Sequence, residues 1–289
     1  MKLATVKLGS SEEAAIVTRQ GVVALRTLNQ ALDMSWSTDL MSLLVLGELD
    51  RLSAWYRDEG EERLLGLEAL PLRDAVYGPL YRNPRKIWGI GANYSEKAGE
   101  MKVTPPDAEP ICFMKPDTSL IGPGDLIRLP QGAGRITAEA ELGLVIGKAC
   151  KSISPEEARD VVAGLVPTLD MTAQDIHARN PRFLGRSKCF DTFFSFGPHL
   201  VTLDEVEELE ALKVQTALNG QVTHEGTVSS MIYNPWFIVS YFSQMMTLLP
   251  GDIIMTGTPG SIDIHEGDEA ECRISGFDGL INPVQLEIP

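Results

Sequence analysis

Residues 136–148, ITAEAELGLVIGK, set two glutamates into a run that then turns wholly apolar. Read as a strand, its side chains alternate faces, so Glu139 and Glu141 point the same way. Two like charges side by side repel, and each is costly to take out of water unless a cation stands between them. A hard divalent ion is the simplest such cation, because Mg2+ takes oxygen ligands and is commonly held by one or two carboxylates plus substrate. On these residues alone, a solvent-facing acidic pair on an edge strand is an equal reading. A second piece, LDMTAQDIH at residues 169–177, carries a further carboxylate, Asp170.

The chain around these pieces has 289 residues, 44% of them hydrophobic and 22% charged, which is ordinary for a globular protein. That length accommodates one main domain and a smaller appended one. No apolar run reaches the roughly 20 residues of a membrane span, and the start of the chain reads neither as a signal peptide nor as an Arg-rich transit segment, so a cytoplasmic location is expected. The formal net charge of −15, from 25 basic and 40 acidic residues, argues against nucleic acid or anionic lipid as a partner. An anionic substrate would then need locally supplied positive charge. Cys112, Cys150, Cys189 and Cys272 show no CxxC spacing and read as reduced thiols, mostly in the core.

From the start of the chain, Lys2 to Leu8 alternates, and Glu13 to Leu25 offers two more short strands around Arg19-Gln20-Gly21. Ser37 or Thr38 is expected to cap a helix running through Leu40, Leu43, Leu44, Leu46, Leu52 and Trp55 to a stop near Gly60. The Pro84-containing stretch YRNPRK marks a boundary, giving a small N-terminal α+β domain over residues 1–80 and a catalytic domain over 81–289. KIWGIGANY reads as a buried strand, SEKAGEM as a short polar helix or turn, and Val103 to Pro110, with three prolines, as a mobile loop. Ser154-Pro155-Glu156-Glu157 predicts a helix from Pro155 to Val162 stopped by Gly164, and Asn234-Pro235 one through Leu248. Short strands outnumber helices and do not alternate with them, so the fold class is mostly β (α+β) and not a parallel α/β layout.

Six segments in unbroken order from Lys86 onward resemble the fumarylacetoacetate hydrolase family: GANYSEKAGE, PICFMKPDTSLIGPGD, TAEAELGLVIGK, LDMTAQDIH, SKCFDTFFSFGP and LLPGDIIMTGTPGS. The resemblance implies a mixed β-sandwich roll as the catalytic fold. It implies Glu139, Glu141 and Asp170 as ligands of Mg2+ or Mn2+, a hard cation that oxygen donors select. Such an ion would chelate a 2-oxo acid or 1,3-diketone and stabilise an enolate as a C–C or C–H bond breaks. Lys188 matches the family lysine beside metal and substrate, and Lys97 and Glu100 fall in the segment that handles the proton. Asn93, Tyr94, Gln174, His177, Gly257 and Thr258 fall at substrate-binding positions, the last two in a turn similar to the family's carboxylate-binding turn. Lys115 and Asp191 are second candidates beside the metal, although a strand-end salt bridge serves equally for Lys115. His199, His224 and His265 lie outside the motifs and read as surface or packed residues. A small anionic oxo acid as substrate and a homodimer as assembly follow as expectations from the same resemblance.

Three positions depart from the family. Lys97 stands where hydrolytic members have the His that activates water, Gln174 where they have Arg, and His177 where they have Gln. A lysine near 10.4 takes a proton at neutral pH only if its pKa falls by several units. The first expectation, from the resemblance, is a Mg2+-dependent hydrolase cleaving a C–C bond in an acylpyruvate-type substrate, with Lys97 as base or water-positioning group. Its alternative is a 2-oxo acid decarboxylase, tautomerase or isomerase, which needs no hydrolytic water. A non-catalytic metal-binding member comes last.

Overall fold

Alternation, more than helix propensity, decides this architecture. A computed structural model of the chain describes residues 1–94 and 109–287. Its strands are β1 (Lys2–Leu8), β2 (Ser11–Val17), β3 (Val22–Ala24), β4 (Ile87–Gly91), β5 (Ile111–Lys115), β6 (Leu120–Ile121), β7 (Ile127–Leu129), β8 (Ile136–Ile146) and β9 (Val162–Ala173). They continue with β10 (Phe194–Phe196), β11 (His199–Val201), β12 (Lys213–Leu218), β13 (Gln221–Thr227), β14 (Ile253–Met255), β15 (Ser261–Asp263), β16 (Glu269–Ile274) and β17 (Leu280–Leu286). A large mixed sheet has the order β3-β2-β1-β11-β9-β8-β14-β4-β5, with β6, β10 and β15 off this path, and a second sheet has the order β13-β12-β16-β17-β7. The fold is thus mostly β with a few packed helices, the class expected from the strand count.

β8 and β9 form the spine of the large sheet, pairing antiparallel from Ile136↔Ala173 to Ile146↔Val162. Every residue of β8 is buried. Its even-numbered residues, Ile136 to Ile146, lie in the main core, which also takes Val214, Ala270, Cys272 and Ile274 from the second sheet. The odd-numbered face carries Thr137, Glu139, Glu141, Gly143 and Val145, and Val145 joins a different core with Val166, Phe194, Phe196, Leu3, Leu28 and Leu43. Burial on both faces explains why β8 reads as nearly continuous apolar sequence, and why its two polar side chains stand out.

Residues 1–80, expected as a small α+β domain, extend the large sheet: β1 pairs with β11, and side chains before residue 80 share the second core with those of β8, β9 and β10. The helix expected from Ser37 or Thr38 is capped instead by Asp39, whose carboxylate accepts from Ser42 N–H at 2.8 Å. That helix ends at Val45, and Gly47 at φ +68° turns the chain before a second helix, Leu49–Trp55. The helix expected over residues 155–162 does not form. The Glu157 carboxylate does accept from Ser154 N–H, as a capping box requires, but only a 3-10 turn, Ala158–Val161, follows before Val162 enters β9. Sheet pairing of Val162 wins over the local helix signal. Asn234 caps helix Pro235–Met245, accepting from Phe237 N–H at 2.9 Å, and the helix stops short of the expected Leu248. Among the described residues no helix is long and apolar enough to cross a membrane. SEKAGEM and nearly all of Val103 to Pro110 lie outside the described residues.

Candidate metal centre

The β8/β9 register builds the site. Glu139 lies directly opposite Asp170, and Glu141 opposite Thr168, so all four project from one face of the spine. Glu139, Glu141 and Asp170 are 5%, 1% and 0% exposed, and each offers a carboxylate oxygen within 4.8 Å of the others'. Burial, then the charges of Asp170 and Glu139, push the Glu141 carboxyl well above the ordinary carboxylate range. Its Oε2 accepts the N–H of Gly257, and Thr172 Oγ1 donates to Glu139 Oε2 at 3.2 Å.

Two buried lysines enter from other elements. Lys188, at the C-terminus of helix Leu184–Lys188, donates to Glu139 Oε2 at 2.9 Å and to Asp170 Oδ2. Burial opposes its charge, but Asp170, Glu139 and Glu141 together hold its pKa above the ordinary lysine value. Lys115, the last residue of β5, donates to the carbonyls of Met171, Lys188 and Phe193 at 3.0, 2.8 and 2.7 Å. Its Nζ also stands 2.7 Å from Asp170 Oδ1. Since its donors are directed at carbonyls, Asp170 Oδ1 is buried in ionic contact yet has no aligned hydrogen-bond donor among the described residues.

These features fit a divalent cation. Three carboxylates are crowded together out of water, where burial raises the Glu141 pKa and lowers that of Lys115, and Asp170 Oδ1 has no aligned donor among the described residues. An all-oxygen donor set selects a hard ion such as Mg2+ or Mn2+.

The other expected site residues are placed as follows. Asn93 is fully buried and spends its side chain on backbone, donating to Tyr233 O and Thr256 O and accepting from Tyr233 N–H. It ties the turn after β14 to the segment that leads into helix Pro235–Met245. Tyr94 is 2% exposed, with no hydroxyl partner among the described residues, and burial followed by the Glu141 charge raises its pKa. Gly257, at φ +95°, passes so close to Asn93 that a Cβ there would meet Asn93 Cβ at 2.7 Å, which is why a glycine is needed for its N–H to reach Glu141. Thr258 Oγ1 is tied into its own turn, donating to Gly260 O and accepting from Gly260 N–H. Gln174 donates to Thr137 Oγ1 at 3.2 Å. His177, one helical turn further on, feels both Lys188 and Glu139, and burial followed by the Lys188 charge lowers its pKa. Asp191 is exposed. His199 is packed, with Nδ1 2.8 Å from Asp278 Oδ2, while His265 is exposed. Lys97 and Glu100 lie outside the described residues. The four cysteines are free thiols; Cys150 and Cys272 are buried, and Cys189 is exposed.

Sequence reasoning did not find the full weight of Lys115, which ties β9, helix Leu184–Lys188 and the turn before β10 to one atom. A lysine ending an otherwise apolar strand just before Pro116 was the available signal.

Residues 86–285 match the family described as fumarylacetoacetate (FAA) hydrolase C-terminal. The chain is similar to the mitochondrial oxaloacetate tautomerase of Rattus norvegicus, at 32% identity over 272 residues, covering 91% of this chain and 84% of that protein. Among solved structures it is similar to maleylpyruvate hydrolase from Sphingobium sp. SYK-6 in complex with manganese (II) ion and pyruvate, at TM-score 0.81 and 26% identity over 100% of both chains. It is also similar to 5-carboxymethyl-2-hydroxymuconate delta-isomerase from Mycobacterium smegmatis, at TM-score 0.76 and 26% identity over 100% of both chains.

Proposed function

The chain belongs to the fumarylacetoacetate hydrolase family, and from that premise we propose that it is a divalent-cation-dependent enzyme that moves a proton at the carbon next to the carbonyl of a small 2-oxo acid, interconverting its keto and enol forms. The observation that carries this reading is the buried set of Glu139, Glu141 and Asp170 beside Lys188. Those three carboxylates would hold Mg2+ or Mn2+, and when bound the ion would act as a Lewis acid on the substrate's oxygens. Lys188 supplies fixed positive charge where enolate charge develops, in a site that excludes water. Lys115 keeps Asp170 and the Lys188 backbone in place while that happens. Burial, then the Lys188 charge, lowers the His177 pKa against the opposing pull of Glu139, which favours the neutral ring at the rim of the site. Lys97 and Glu100 are assigned to proton transfer by their place in the sequence.

Tautomerisation is placed first because Lys97 replaces the water-activating His and because the rat relative bears that activity in its name. Hydrolysis of an acylpyruvate-type C–C bond is the second reading, supported by the likeness to maleylpyruvate hydrolase along the whole chain. The purified protein with Mg2+ or Mn2+ is to be given enol oxaloacetate, acetylpyruvate and fumarylpyruvate. Decay of enol absorbance without CO2 or acid product supports tautomerisation. Release of pyruvate plus an acid replaces it with hydrolysis, CO2 release with decarboxylation, and metal uptake without turnover of any of the three defeats the enzymatic reading for this substrate class. A cytoplasmic homodimer is the proposed state of the protein.

A further inference from the structure

The Lys188 ammonium lies 4.5 Å from the centroid of the Phe113 ring. Phe113, in β5, is only 5% exposed and pairs across the sheet with Gly89 of β4. A Cβ on residue 89 would stand 2.3 Å from the Phe113 Cζ and 2.6 Å from its Cε2. The ring therefore fills the space that any other residue at position 89 would take. Two positions along, on the same strand face, Lys115 reaches Asp170 and the Lys188 carbonyl.

We propose that Gly89 and Phe113 are a positioning pair for Lys188: the glycine leaves room for the ring, and the ring face holds the ammonium beside the carboxylates. The negative face of an aromatic ring attracts a cation most strongly where water is excluded, and Lys188 is 5% exposed. Glu139 and Asp170, the other partners of this ammonium, are also the groups a divalent ion would draw on. The ring does not compete for that ion, so it keeps Lys188 in register when the carboxylates' charge is shared. This assignment deepens the proposed function, since it rests on Lys188 facing the substrate.

Metal-free parent, Phe113→Leu, Phe113→Tyr and Gly89→Ala are treated with a water-soluble acylating reagent, and acylation at Lys188 and Lys115 is read by mass spectrometry. In Phe113→Leu the Lys188 rate is expected to rise about tenfold with Lys115 unchanged, and Phe113→Tyr to stay at the parental rate, because only the ring face screens and holds Nζ. Loaded with Mn2+, Phe113→Leu is expected to lose about 5–30-fold in kcat with little change in KM, and Phe113→Tyr to restore it. Gly89→Ala, if it folds, should follow Phe113→Leu. Equal rises at Lys188 and Lys115 would reveal a loosened core and overturn the assignment, as would parental labelling in Phe113→Leu. Should the parent turn over none of the oxo acids, the labelling comparison still decides this question separately from the catalytic one.

Discussion

At the residue scale, burial works against the charge of Glu141. Its carboxyl is pushed toward the neutral form by burial and by its two acidic neighbours. Glu141→Gln keeps an oxygen for the Gly257 N–H and replaces a carboxyl whose ionisation burial and its neighbours oppose, so the metal-free variant is expected to be about 0.5–2 kcal/mol more stable than the parent in urea unfolding. The same variant should lose more than about 100-fold in Mn2+ affinity by calorimetry, since a ligand matters more than the outer partners whose loss costs 10–100-fold. Burial also opposes the charge of Lys115 and lowers its pKa, against the pull of Asp170, but every donor of this side chain is committed. Lys115→Met strips three carbonyls and the Asp170 carboxylate of their buried cation, which is expected to destabilise the protein by about 3–5 kcal/mol, read by the same unfolding. Equal stability of Lys115→Met and parent would remove Lys115 from the architecture of the site.

At the scale of elements, local signals held where nothing long-range opposed them. Asn234 followed by Pro235 caps a helix because the helix packs where its sequence wants to be; Asn234→Ala is expected to cost about 1 kcal/mol, measured by denaturant midpoint, with turnover unchanged. The 155–162 stretch has an equally good start signal, yet its last residue is claimed by β9. Thr38 and Asp39 are both cap-forming types; the Thr38 carbonyl accepts from Ala14 N–H of β2, and Asp39, one residue on, is the one whose side chain bends back onto the helix. The shared face of Glu139 and Glu141 was legible because alternation is a local property of one strand. Asp170 facing Glu139 was not, except through the family motif, because register between β8 and β9 is fixed by packing on both faces of the sheet. The meeting of Lys115 and Lys188 on one carboxylate depends on three separate chain segments, and no periodicity reports it. Thr258 spends its hydroxyl inside its own turn, a detail that a turn motif alone does not disclose.

At the scale of the whole molecule, the two sheets are tied by Asp278, between β16 and β17, to His199 at the start of β11 and to Lys2 of β1. The hydrogen bond to His199, with help from Lys2, holds the Asp278 carboxyl at about 2, below its ordinary 3.8. A carboxyl lowered on folding contributes stability that is full above its unfolded value and vanishes as the pH falls through its folded value. The stability gap between parent and Asp278→Asn is therefore expected to be full near pH 5 and to shrink as the pH falls from about 4 through about 2, which unfolding curves across that range would check. A gap unchanged from about pH 5 down to below about pH 2 would show that the tie is not ionic. Finally, because the β8/β9 ladder carries Glu139, Glu141 and Asp170 in the middle of the large sheet, amide deuteration there should proceed only through complete unzipping of the protein. The three carboxylates share one rigid ladder, so any drift in substrate preference among sequences of this kind is expected at the rim and not in the spine.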